Sequence, residues 1–356
     1  MGYKEVTTLF LSRIGRCRFL CCLALMLLGG LFSGCVGEQE YADTPQGNFE
    51  ALWKLIDEHY CFLDYKSEVI GLDWDEVRAR YGRRISSDMD RDALFEVLTE
   101  MLSELRDGHV NVYSAGDMGR NWSWYEDYPS NFRADIQERY LGRDYKIASG
   151  LKYRILEDNV GYVVCGSFSS PIGSGNLDKM LDYLRSSSGL ILDVRDNGGG
   201  DLTTAELLAS CFTNERCHVG YICHKTGPGH SDFSAPRAEY LEARRGVRWQ
   251  KPVVVLTNRR CYSATNTFVR DMQCLDGVTV VGDVTGGGSG LPFSSELPCG
   301  WSVRFSACPM FDREGNQIEF GIAPDVTVSL RPEDALQGVD TLIEYARSLL
   351  GGSISD

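Results

Sequence analysis

Apolar positions recur at helical spacing over the first third of the chain. Phe49, Leu52, Trp53 and Ile56 fall at i, i+3, i+4 and i+7. Trp74, Val77 and Tyr81 repeat the pattern more weakly, and Leu94, Leu98, Met101, Leu102 and Leu105 form the clearest stripe. The spacing predicts a small helical domain over residues 49–113 that stops at Gly108, a residue suited to a helix C-terminus. His109 then stands at a junction, before residues 110–113, which read as a short strand. Residues 114–150 are rich in aromatic and polar side chains without a clean period, and read as a connector packed on the surface. From residue 151 the pattern changes. β-rich runs at 162–165, 190–194, 253–257 and 278–281 alternate with helical candidates at 177–184, 202–212 and 265–272. That alternation predicts an α/β core over 151–350, a mostly parallel sheet covered by helices. A last amphipathic helix is expected from about 332 to 349.

The first forty residues follow another pattern. Arg13, Arg16 and Arg18 precede an apolar stretch from Phe19 to about Leu31. It is short for a membrane span of ~20 residues and suits the core of a signal peptide. It ends in Leu31-Phe32-Ser33-Gly34-Cys35, which resembles a bacterial lipobox, with Phe32 where an aliphatic residue is more usual. The expectation is a lipoprotein signal peptide at 1–35, lipidation of Cys35, a polar tether at 36–48, and a place in the cell envelope, on the periplasmic side or the outer membrane surface.

Composition narrows the field. A chain of 356 residues with 43% hydrophobic and 24% charged residues is ordinary for a globular protein. A net charge of −14, with no basic run in the body, argues against a nucleic-acid partner. Cys217, His218, Cys223, His224 and His230 bunch together, but on an extended strand like residues six apart lie ~20 Å apart, too far for one metal ion. No metal and no organic cofactor are expected.

The candidate chemistry sits at two strand-to-helix junctions. One reads LILDVRDNGGGD, residues 190–201; the other reads PVVVLTNRRCYSATNTF, residues 252–268. Gly198, Gly199 and Gly200 fit neither a Rossmann nor a P-loop pattern, and suit backbone N–H groups brought close to a developing oxyanion. Ser263 opens a helix. As a lone serine it would be read as an N-cap; beside a glycine loop it can be a nucleophile.

Five motifs in order, DGH (107–109), LDVRDNGGGD, CYSATNTF, GDVTGGGSG (282–290) and FGIAPDV (320–326), resemble the C-terminal processing (tail-specific) serine protease family, in the branch shared with the tricorn protease core. The resemblance covers residues 49–349. It implies a crotonase/ClpP-like β/α core behind a small N-terminal helical domain, with Ser263 as nucleophile. It also implies an oxyanion hole from the N–H groups of Gly200 and Ala264. One branch of the family takes its base from a lysine, but Gly288 stands at that position here. The tricorn-like branch uses a histidine, and His109 occupies the matching motif; neutral imidazole is a suitable proton acceptor. Glu319 is the expected acidic partner, with Asp107 as fallback. Two departures bear on it: Gly108 lacks the hydroxyl that links glutamate to histidine in that branch, and Glu319 sits one residue closer to the GIAPD turn. Too few residues separate His109 from Leu151 for a PDZ domain. The implied activity is a serine peptidase that cuts within chains, with a peptide or protein substrate and no defined oligomeric state. The rival reading is a catalytically inactive lipoprotein that binds peptides or hydrophobic ligands on the same fold.

Overall fold

The structure is a computed structural model that describes residues 41–119 and 122–351. The signal peptide, Cys35 and most of the tether lie outside the described residues. Residues 42 onward form one compact unit.

Among the described residues four helices come first: α1 (Pro45–His59), α2 (Leu63–Ile70), α3 (Trp74–Gly82) and α4 (Arg91–Ser103). Their starts follow capping chemistry. Thr44, Asp73 and Asp90 each accept a backbone N–H of the first turn of α1, α3 and α4. The apolar stripes turn inward, so that Phe49, Leu52, Ile56, Leu98 and Met101 are fully buried. This layer shares its core with β1 (Asn111–Tyr113) and β12 (Ser302–Phe311), through Val112, Val303 and Phe305.

β1 and β12 belong to an antiparallel sheet ordered β2 (Met118–Gly119), β1, β12, β7 (Cys217–Ile222), β8 (Arg237–Leu241), with β11 (Gly290–Glu296) also paired to β12. The second sheet has seven strands, ordered β13 (Val326–Thr327), β10 (Val278–Gly282), β9 (Val253–Thr257), β6 (Leu190–Asp193), β5 (Gly161–Val164), β4 (Leu151–Ile155), β3 (Lys146–Ala148). From β13 to β5 every pairing is parallel; the last two are antiparallel.

The parallel strands are apolar on both faces because both faces are covered. Leu190, Leu192, Val253 and Val255 face α6 (Ser174–Leu184), α7 (Leu202–Ala209) and α8 (Ala264–Gln273). Ile191, Val254 and Leu256, one residue out of phase, meet Leu342, Ile343 and Ala346 on the other side.

Two expectations need correction. The connector is not merely surface: residues Ala134–Leu141 form helix α5, which buries Ile136 and Leu141 and hydrogen-bonds Gln137 to Asp193. The final helix is two, α9 (Pro332–Gln337) and α10 (Thr341–Leu349). Gly338, at φ +76°, ends the first, and Asp340 caps the second.

Candidate active site

β6 and β9 are adjacent and parallel, so their C-terminal ends deliver the two junctions side by side. Polar side chains then fix both turns. Arg195 is fully buried between Asp193 and Asp340, with guanidinium–carboxylate distances of 2.7 and 2.9 Å. Asn197 donates to Cys165 O at 3.0 Å and accepts the Gly199 N–H at 2.9 Å. Asn258 bonds both the backbone N–H and the carboxylate of Asp196, and Tyr262 N donates to Asn197 O. The glycine loop and the serine loop are thereby stitched to each other. Gly199 has to be glycine: at φ +101° an added Cβ would lie 2.6 Å from Tyr262 O and 2.9 Å from Ser263 Cβ.

Ser263 sits at φ +58°, ψ −122°, a backbone state that strains a non-glycine residue by about 1–3 kcal/mol. It precedes α8 in the N-cap position, yet its side chain makes no capping bond. Its Oγ lies instead 2.8 Å from His109 Nε2. The hydroxyl therefore gives up the ordinary role of a serine at a helix start. Among the described residues, neither Gly200 N–H nor Ala264 N–H donates to a backbone acceptor, and the glycine loop packs on Ser263 at Gly199. The structure brings the His109 turn to Ser263 Oγ and the glycine loop, at Gly199, against the Ser263 backbone.

His109 is brought by the short turn between α4 and β1. Its backbone N–H donates to Asp107 Oδ1 at 2.8 Å. Asp107 also accepts from Ser306 Oγ at 2.8 Å, Tyr60 OH at 3.1 Å and Tyr262 OH at 3.3 Å. Burial alone would raise the Asp107 carboxyl. The Lys66 charge, His109 and the hydrogen bonds outweigh it and hold it below its ordinary value.

Glu319 is buried and close to this group, but its oxygens have other partners than His109. Oε1 accepts from Lys66 Nζ at 3.1 Å, and Oε2 from Ser289 N at 2.9 Å. Desolvation, reinforced by the Asp107 charge and opposed by Lys66, pushes its carboxyl up to about 7. Asp107, the other acidic candidate, lies on the His109 turn and holds the His109 backbone N–H. At position 288 the backbone is at φ +77°, and a Cβ would lie 2.7 Å from Cε1 of the Tyr262 ring, so a lysine has no room there.

Lys66 and Tyr262 were not singled out from sequence. A lysine in an amphipathic helix looks like any solvated one, and only its total burial shows otherwise. The three histidines of the 217–230 segment have separate partners: Gly220 O for His218, Cys308 Sγ for His224 and Asp57 for His230.

Comparison with known proteins agrees with this geometry. The sequence model of peptidase family S41 matches residues 159–328, and that of the tricorn protease C1 domain matches residues 41–103. The carboxy-terminal processing protease CtpA of Bacillus subtilis (strain 168) is 25% identical over 177 residues, 49% of this chain. That match spans only 36% of the length of CtpA. A crystal structure of a candidate peptidase from Parabacteroides merdae ATCC 43184 is 53% identical, with a TM-score of 0.82 over 86% of this chain and 97% of that one. Mature CPAF, at 13% identity and a TM-score of 0.64 over 86% of this chain and 96% of its own, shares the fold.

Proposed function

This chain belongs to peptidase family S41, and we propose that it hydrolyses peptide bonds through an acyl-enzyme at Ser263 with His109 as general base. The observation that carries the reading is the 2.8 Å separation of His109 Nε2 and Ser263 Oγ; the Gly200 and Ala264 N–H groups are the donors the family resemblance implies. In the proposed sequence the Ser263 O–H donates its proton to neutral Nε2 as Oγ attacks the carbonyl carbon. The oxyanion turns toward the two backbone donors, each worth ~3 kcal/mol in the transition state. His109 then returns the proton to the leaving amine, and water repeats the steps in reverse to release the acid. Ser263 reaches this role by position: its hydroxyl makes no capping bond and is held by His109 Nε2 instead.

The non-catalytic reading was motivated by Gly108 and the shifted Glu319. The close base–nucleophile pair and the braced glycine loop support the peptidase instead. The N-terminal pattern supports a place in the cell envelope through a lipid on Cys35, tested by loss of fatty-acid labelling in Cys35→Ala. The activity is tested by incubating the purified chain with an unfolded protein mixture and sequencing new termini. Cleavage present in the wild type and absent in Ser263→Ala supports peptidase action, and no new termini from folded wild type contradicts it.

A further inference from the structure

We propose that Lys66 is a positioning residue that ties the turn carrying His109 to the turn seating Ser263; the inference rests on the serine-peptidase reading above. Lys66 lies on α2, remote in sequence from both catalytic groups, and its side chain is fully buried. Its ammonium donates to Arg106 O at 3.0 Å and to Glu319 Oε1 at 3.1 Å, and stands 4.3 Å from the centre of the Phe320 ring.

Each bond leads to one half of the catalytic pair. Arg106 is at φ +46°, a left-handed conformation that a non-glycine residue keeps only where its surroundings hold it. The next residue is Asp107, which fixes the His109 N–H. On the other side, Glu319 accepts Ser289 N through its carboxylate and Gly288 N through its backbone carbonyl. In the same turn, Gly287 O accepts the Ser263 N–H at 2.9 Å. Lys66 is the shared donor in a path of bonds that runs from base to nucleophile.

Burial alone does not call for a lysine. Methionine fills nearly the same volume, and a buried ion pair is by itself weak support for stability. What lysine adds is two donors in fixed directions and a positive charge acting on Asp107 and Glu319. The other titratable groups facing this cluster are Tyr60 and Cys61 after α1, Tyr65 on α2, His109, Tyr262 before α8, and Cys308 on β12.

The test uses the full chain and a fluorophosphonate, whose phosphorus bonds to Ser263 Oγ as fluoride leaves. Lys66→Met/Glu319→Gln removes the ammonium together with the carboxylate it pairs with, and Asp107 keeps its donors from His109 N, Tyr60, Tyr262 and Ser306. The expected result is a folded protein, melting within a few degrees of wild type, whose plateau labelling rate falls ~10²-fold, the scale of a 1 Å misplacement. Glu319→Gln alone, whose one amide oxygen can still accept from Lys66 at the expense of the Ser289 N–H, should lose less than the double variant. In Lys66→Met, loss of the positive charge favours imidazolium, so the acidic limb of the rate profile should move to higher pH. A double variant with the wild-type rate and profile overturns the positioning role and leaves the Ser263 reading standing. Equal losses in Glu319→Gln and the double variant assign the effect to Glu319 and also overturn it. If both methionine variants fail to fold, Lys66 is a folding residue and the proposal falls. Unlabelled wild type overturns both readings.

Discussion

The Tyr262 hydroxyl stands beside Gly108, so close that a Cβ there would approach it to 2.8 Å and the Trp124 ring to 2.7 Å. The Tyr262 and Trp124 rings stack at 3.9 Å between centroids, and the same hydroxyl donates to Asp107. The missing hydroxyl at position 108 therefore follows from packing: the space is occupied by a tyrosine that reaches the His109 turn itself. Gly108→Ser should not improve the site. Overpacking of this kind costs ~1–3 kcal/mol, so the variant should melt lower and react more slowly with a fluorophosphonate. A faster reaction in Gly108→Ser would contradict this.

Glu319 makes stability depend on pH in a defined direction. Its folded carboxyl is raised to about 7 by burial, then by Asp107, against an unfolded value of ~4.3. Between those values the folded state keeps a proton that the unfolded chain has released, so stability falls as pH rises through the window. Asp271, raised to about 6 chiefly by burial, acts in the same direction. Melting temperature should drop from pH 5 to pH 7.5, and Glu319→Gln should flatten that slope, leaving the Asp271 contribution. An unchanged slope in the variant would remove Glu319 as its source.

Asp107 sets the proton affinity of His109 from the opposite side. Its charge and that of protonated His109 stabilise each other. Wild-type labelling should rise with pH through the imidazole range, ~6–7. Asp107→Asn should move that limb to lower pH and reduce the plateau, since the carboxylate also holds the His109 backbone. Circular dichroism controls for folding, and a limb that moves upward contradicts the assignment.

Asn197 braces the glycine loop through Cys165 O and Gly199 N. Asn197→Ala should leave those groups unsatisfied, at a cost of ~1–3 kcal/mol, and lower the acylation rate ~10-fold or more by displacing Gly200. A destabilised variant with the wild-type rate per folded molecule would separate the brace from the oxyanion loop.

Much of this was legible in the chain because periodicity and glycine placement are local signals. The runs at 190–192 and 253–256 are apolar at every position, and the sheet buries both of their faces. The stripe of Leu94, Leu98, Met101 and Leu102 is buried as its spacing requires. What was hidden depends on distant partners. The connector shows no period because α5 spans only Ala134–Leu141, and its bond from Gln137 to Asp193 joins residues 56 apart. Lys66 finds Glu319 across 253 positions, and no local pattern marks such a pair. Motif position makes Glu319 the expected partner of His109; its carboxylate accepts from Lys66 and Ser289, both remote from it in sequence.

The most direct measurement is fluorophosphonate labelling of the purified full chain at pH 7.5, with the adduct mapped by mass spectrometry, beside Ser263→Ala and His109→Ala. The predicted result is one adduct on Ser263 in the wild type, none in Ser263→Ala, and a rate at least ~10³-fold lower in His109→Ala. A folded wild type that takes no label, or a His109→Ala variant that labels at the wild-type rate, would contradict the acyl-enzyme with His109 as its base.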